Sequence, residues 1–216
     1  MRARALLVTT SLLATGLSAV AAQAATVPPS CNMAKDGTGD TNNDLEGAPV
    51  FPADQGLDLV GGDVASNAKN ITAVIRLAAA PGDATIYVKR YIAQFKVAGQ
   101  SNPMVLAAAI SATGTTYSFG WYGETTTGTG FNYSSTPATG SIDDKTITIT
   151  ASLADVAAQA ELGAVKKGAK VNALTLSANR RLPALTQAPG FVYPADEAIG
   201  KGVYYAGNAS CVKVPA

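Results

Sequence analysis

Tyr87-Val88-Lys89-Arg90-Tyr91-Ile92-Ala93-Gln94-Phe95-Lys96-Val97 decides the fold class. Tyr87, Tyr91, Phe95 and Val97 share one parity, and Arg90, Gln94 and Lys96 share the other. Period-two alternation of this kind predicts an antiparallel strand with one buried and one wetter face. Outward from it the same grammar recurs. Leu57-Asp58-Leu59-Val60 is a short run followed by a Gly61-Gly62 break and Val64. Ile71, Ala73, Ile75 and Leu77 alternate with Thr72, Val74 and Arg76. Met104–Ile110, Lys145–Ala151 and Val171–Asn179 continue the pattern. Thr116–Tyr122 and Gly130–Ser134 read as an aromatic-rich hairpin. Ser141–Asp144 reads as a turn, residues 182–202 as loop, and Val203–Val214 as an edge strand carrying Cys211. A helix is expected at Leu153–Leu162, with Ser152 as its cap and Gly163 as its stop. About eight strands with one helix predict an all-β, antiparallel, jelly-roll-like β-sandwich, because a parallel sheet needs repeated crossover helices.

The chain begins with Arg2 and Arg4, an apolar run broken by Thr and Ser, and Ala22-Gln23-Ala24. That order is a secretory signal peptide, 1–24, cut after an A-x-A site. The run lacks the ~18 unbroken apolar residues of a spanning helix, so no membrane insertion is expected after cleavage. Removing 24 of 216 residues leaves 192, and takes 16 basic residues to 14 against 15 acids. A near-neutral domain carries no electrostatic footprint for nucleic acid. A turn-rich arm, 25–56, then leads into a sandwich domain, 57–216. The expected location is extracellular. Cys31 and Cys211, the only two cysteines, are expected to pair in that oxidising setting.

Histidine is absent. Ser-His-Asp and Cys-His catalysis and every His-based metal site therefore fall away. No P-loop, G-x-S-x-G elbow or dinucleotide fingerprint occurs. The remaining catalytic option is a carboxylate pair such as Asp143-Asp144 or Asp196-Glu197, and adjacent residues of a strand face opposite ways.

The densest oxygen-ligand stretch is Asp36-Gly37-Thr38-Gly39-Asp40-Thr41-Asn42-Asn43-Asp44, followed by Glu46. Calcium takes six to eight such oxygens. The frame from Asp40 begins like an EF-hand but has Leu45 and Phe51 where Gly and Glu belong, so this is not an EF-hand. Two readings remain: a calcium site of another geometry, or a solvated Asx-turn loop. Tyr117, Phe119 and Trp121 share a strand face, with Tyr122 opposite. Core packing and a sugar-stacking platform are both open to this cluster, and Trp121, Tyr122 and Tyr133 are the candidate ligand contacts.

Asp36-x-x-Gly39-Asp40, Leu57-Asp58-Leu59-Val60, the strand Ile71–Leu77, Gly168-x-x-Val171-x-x-Leu174 and the ending Asp196-Glu197-Ala198 through Tyr204 to Cys211 form a set. It resembles bacterial secreted domains of the DOMON-like, family-9 carbohydrate-binding-module type. The resemblance implies a jelly-roll-like sandwich that binds calcium and, in some members, sugars. It implies Asp40 and Asp58 as calcium ligands, with Asp36 and Asp196 beside them. The expected function is a secreted, non-catalytic binding module for carbohydrate or a cell-surface ligand, with structural calcium. The alternatives are a carboxylate-dependent glycan-active enzyme and a purely structural cell-envelope protein.

Overall fold

A computed structural model describes residues 31–42, 53–84, 87–125, 128–182 and 192–215. The expected signal peptide, and Asn43, Asp44 and Glu46 of the oxygen-rich stretch, lie outside the described residues.

Twelve strands form two antiparallel sheets among the described residues. The first sheet contains β1 (Ala34–Lys35), β2 (Leu59–Ser66), β3 (Asn70–Leu77), β8 (Thr139–Asp143) and β9 (Thr146–Ser152), in the order β1-β2-β3-β9-β8. The second contains β4 (Val88–Val97), β5 (Met104–Ser111), β6 (Gly114–Thr125), β7 (Gly128–Pro137), β10 (Lys170–Arg181) and β11 (Val192–Ile199), in the order β11-β10-β4-β5-β6-β7. A short β12 (Tyr204–Tyr205) also pairs with β10. β3 pairs with β9 in one sheet while β4 pairs with β10 in the other. The passages β3→β4 and β9→β10 between sheets therefore run as an antiparallel couple, which gives the sandwich its jelly-roll-like winding.

Alternation explains the core. Tyr91, Ala93 and Phe95 of β4 are wholly buried against Ile71, Ile75, Ile147 and Ile149 of the facing sheet. Burying each large apolar side chain stabilises the fold by about 1.5–3 kcal/mol. The Gly61-Gly62 pair does not break β2. It makes a bulge, with the register shifting between Leu59 and Gly61. Gly61 sits at φ +145, and a Cβ there would lie 2.5 Å from the Ala34 carbonyl oxygen. The bulge thus lets β1 approach β2 closely, and β1 delivers Asp36.

Four local expectations are corrected. The helix is α1 only over Leu153–Ala157. Val156 is its one buried residue, so no apolar stripe supports a longer helix. The Gln159 carbonyl then takes both the Leu162 and Gly163 amides in a closing turn. Ser141–Asp143 belongs to strand β8, and the reversal comes one step later at Asp144, φ 46. Only Tyr204–Tyr205 of 203–214 is strand, because the chain turns as Asn208 N–H bonds the Tyr205 carbonyl; Cys211 lies beyond it. Within 182–202, Val192–Ile199 is a strand despite Pro194. β11 is an edge strand, and Pro194 stands at its bulge opposite Asn179, a position where a missing N–H costs no ladder bond.

Cys31 and Cys211 are disulfide-bonded, with Cα atoms 5.9 Å apart. No helix among the described residues is long and apolar enough to cross a membrane.

Candidate metal centre

β1 and β2 end one sheet, and β11 ends the other, so the sandwich has an open edge where the three meet. Asp36 leaves β1 there, and its N–H is 3.3 Å from the Val60 carbonyl. Asp58 immediately precedes β2. Its backbone is fixed on both sides: its N–H bonds the Gln55 carbonyl, and its carbonyl accepts from Ala78 N–H at 2.9 Å. Asp196 points inward from β11, where its Oδ2 accepts from Leu59 N–H at 2.6 Å and its Oδ1 from Glu197 N–H at 2.8 Å.

The loop after β1 closes over these groups. Gly39, at φ +83, turns the chain so that its N–H donates to Asp58 Oδ2 at 2.6 Å. Asn42 N–H donates to the Ala195 carbonyl at 2.7 Å. The Asn42 carbonyl accepts from Arg180 Nη1 at 2.9 Å. Arg180 is fully buried, and its guanidinium lies 5.8 Å from the Tyr87 ring centroid.

This arrangement brings one oxygen each of Asp36, Asp40 and Asp196 within 4.8 Å of one another. Oxygens bound to one calcium at about 2.4 Å stand no more than about 4.8 Å apart, so the three can share an ion. Asp58 lies outside that group of three but is close enough to act electrostatically on Asp36. It is only 2 % exposed. Its Oδ1 is buried without a hydrogen-bond partner, and so is Asp36 Oδ2. A buried carboxylate oxygen without a donor is costly, and a cation shared by Asp36, Asp40 and Asp196 would relieve that of Asp36. A hollow of about 230 Å³ beside Asp40, Asn42, Asp196 and Glu197 opens the centre to solvent.

The electrostatics match a site short of positive charge. Burial raises the Asp36 carboxyl above its ordinary pKa; the Gly37 amide opposes the rise, and Asp40 and Asp58 add to it. Asp196 is pushed up to about 6, first by burial, with the Leu59 and Glu197 amides opposing and Asp36 and Asp40 assisting. Without a metal, folded Asp196 therefore holds, from its ordinary pKa of 3.8 up to about pH 6, a proton that the unfolded chain has already released. Stability tied to that proton is present at low pH and is lost as pH rises through about 6. Chelator-treated protein should melt higher at pH 5 than at pH 7. With millimolar calcium the order should reverse, because protons and cation compete for the same oxygens. Thermal melts at the two pH values, with and without calcium, check both signs.

All four metal-ligand candidates, Asp36, Asp40, Asp58 and Asp196, thus lie at one edge, drawn from segments far apart in sequence. The aromatic candidates divide. Trp121 packs half-buried against the main core. Tyr122 and Tyr133 lie on the opposite, outer face of the second sheet, over a small cluster of Ile92, Val105 and Ala107. Phe131, 37 % exposed, meets Tyr122 edge-on with centroids 5.1 Å apart. The Arg90 guanidinium sits 4.7 Å from the Tyr133 ring centroid. Sequence reasoning did not bring Arg90 to this face. Its signal was its parity in β4, which it shares with Ile92 of that outer cluster. Arg180, which pins the loop through the Asn42 carbonyl, was also missed, and nothing in its spacing marks it. The Asp143-Asp144 pair is exposed at the β8–β9 reversal and does not join the group of Asp36, Asp40 and Asp196.

Comparison with protein-family models, with curated proteins and with solved structures finds no match.

Proposed function

We propose that this protein is a secreted, non-catalytic β-sandwich binding module whose open edge is closed by a calcium-class cation. The carrying observation is the pair of buried carboxylate oxygens, Asp58 Oδ1 and Asp36 Oδ2, without any donor beside Asp40 and Asp196. The carboxylates of Asp36, Asp40 and Asp196, with Asp58 beside them, are hard oxygen donors, which favour calcium over softer metals. The ion's role is structural: it would tie the β1–β2 loop to β11 across the two sheets. The resemblance to DOMON-like, family-9 carbohydrate-binding-module domains supports the same reading, and the disulfide suits export to an oxidising compartment. Calorimetric titration with calcium tests the proposal. One ion per chain is the expected stoichiometry; absence of heat at millimolar calcium overturns it.

A second observation supports a glycan as the ligand. Tyr122, Phe131 and Tyr133 stand on a solvent-facing sheet surface beside Arg90, and aromatic faces next to polar donors suit sugar rings. A glycan array read with the unmodified chain and Tyr122→Ala tests it. Loss of the bound glycans in the variant is expected; an array without any signal removes glycans as the ligand while leaving the cation reading intact.

A further inference from the structure

A cavity of about 350 Å³ opens at the end of the sandwich where α1, the β2–β3 turn and the segment after β12 meet. It shares no residue with the acidic centre. Its walls are Ala68, Leu153, Val165 and Ala206. These walls are stitched together by the backbone. Leu153 N–H donates to the Lys69 carbonyl at 2.7 Å, and Ala206 N–H to the Ala169 carbonyl at 2.9 Å. Gly168 N–H returns a bond to the Ala206 carbonyl at 2.8 Å. The cavity is thus preformed, at the lower end of the range in which small-molecule sites fall.

The polar groups around it are mostly committed to the fold. Ser66 Oγ accepts from Gly207 N–H at 3.0 Å. Asn67 Oδ1 accepts from the Lys69 and Asn70 amides at 2.8 Å each, and its Nδ2 donates to the Pro215 carbonyl at 2.7 Å. The Tyr204 hydroxyl behind them bonds Ser66 and Asn208. Lys167 is different. It lines the cavity, its stem crosses Gly207, and it makes neither of the salt bridges found among the described residues. No acid lines the cavity. An apolar, preformed hollow with a single uncommitted cation at its mouth selects for an apolar body bearing one negative charge.

We propose that this cavity is a binding site for a small amphipathic carboxylate, with Lys167 receiving the carboxylate and Leu153, Val165 and Ala206 receiving the apolar part. This inference stands apart from the cation site. Its test is amide-resonance titration of the full chain with sodium octanoate and with 3-phenylpropanoate, which separate chain-like from ring-like ligands. Sodium acetate and 1-octanol serve as controls. Octanoate or phenylpropanoate is expected to move the Leu153, Val165 and Ala206 amides, with acetate silent and octanol weaker. Lys167→Gln should weaken binding about 2- to 5-fold, the scale of an exposed ion pair, and Lys167→Glu more. Ala68→Trp, at an exposed rim position, should block the site without disturbing the fold. If neither acid moves those amides, or Lys167→Glu binds as well as the unmodified chain, the proposal is overturned.

Discussion

Asp58→Asn is expected to move stability in opposite directions with and without calcium. Asp58 is almost wholly buried, and only one of its carboxylate oxygens has a donor. The amide oxygen of Asn keeps the bond from Gly39 N–H. What changes is one negative charge beside the three converging carboxylates of Asp36, Asp40 and Asp196. In EDTA that charge is repulsive and poorly solvated, so its removal should raise the melting temperature. In the calcium-bound state proposed above it would act as a ligand. Affinity across calcium sites is set by ligand charge count, and its loss should weaken binding by about a hundredfold or more. A residue that mattered only for packing would lower the melting temperature in both conditions. Melts of the variant and unmodified chain in EDTA and in calcium separate the two accounts.

The largest effect on stability alone is expected from the disulfide. Cys31 and Cys211 are 180 residues apart, and closing a loop of that span constrains the unfolded chain by about 5 kcal/mol in the chain-entropy model. For a domain of this size that corresponds to about 10–20 °C. Cys31→Ser with Cys211→Ser should show a loss of that order in calorimetry. The effect should reach the acidic centre as well. β1 is only two residues long. Its N-terminal side is held by Met33, whose N–H donates to Asp63 Oδ1 at 2.9 Å and whose carbonyl accepts from Gly202 N–H at 3.1 Å. The bridge lies two residues further out. Without it β1 should fray, Asp36 should lose its fixed position, and calcium affinity should fall along with the melting temperature. Unchanged affinity in the double variant would make the bridge a staple for the fold alone.

These predictions rest on features that differ in how far the sequence discloses them. The strands were legible where one face is buried and the other wet. Tyr87–Val97 is the clearest case, since parity alone separates Tyr91 and Phe95 from Arg90 and Lys96. β11 was hidden because it is an edge strand. Its burial pattern is weak, and Pro194, which argues against a central strand, is harmless at an edge bulge. Helix α1 was overextended because a cap and a stop glycine bound a segment whose interior has little to bury. The loop at Asp36–Asn42 was visible through its density of oxygen ligands. Asp58 and Asp196 were not visible that way, for what joins them to Asp36 is the meeting of two sheet edges, which no local spacing encodes. They entered through resemblance. The same limit applies to the aromatic residues. Alternation within β6 separates Trp121 from Tyr122. Placing Tyr133 beside Tyr122 needs the hairpin register, which shifts between Ser118 and Gly120.

The proposed binding of a cation at the acidic edge stabilises the fold. Its most direct test is the melting temperature of the unmodified chain at pH 7 in EDTA and in increasing calcium. Saturation to a hundred times the dissociation constant is worth about 2.7 kcal/mol, an upward shift of about 5–10 °C for a domain of this size. A rise of that order that grows with calcium concentration is expected. Melting curves that coincide from EDTA to millimolar calcium would contradict it.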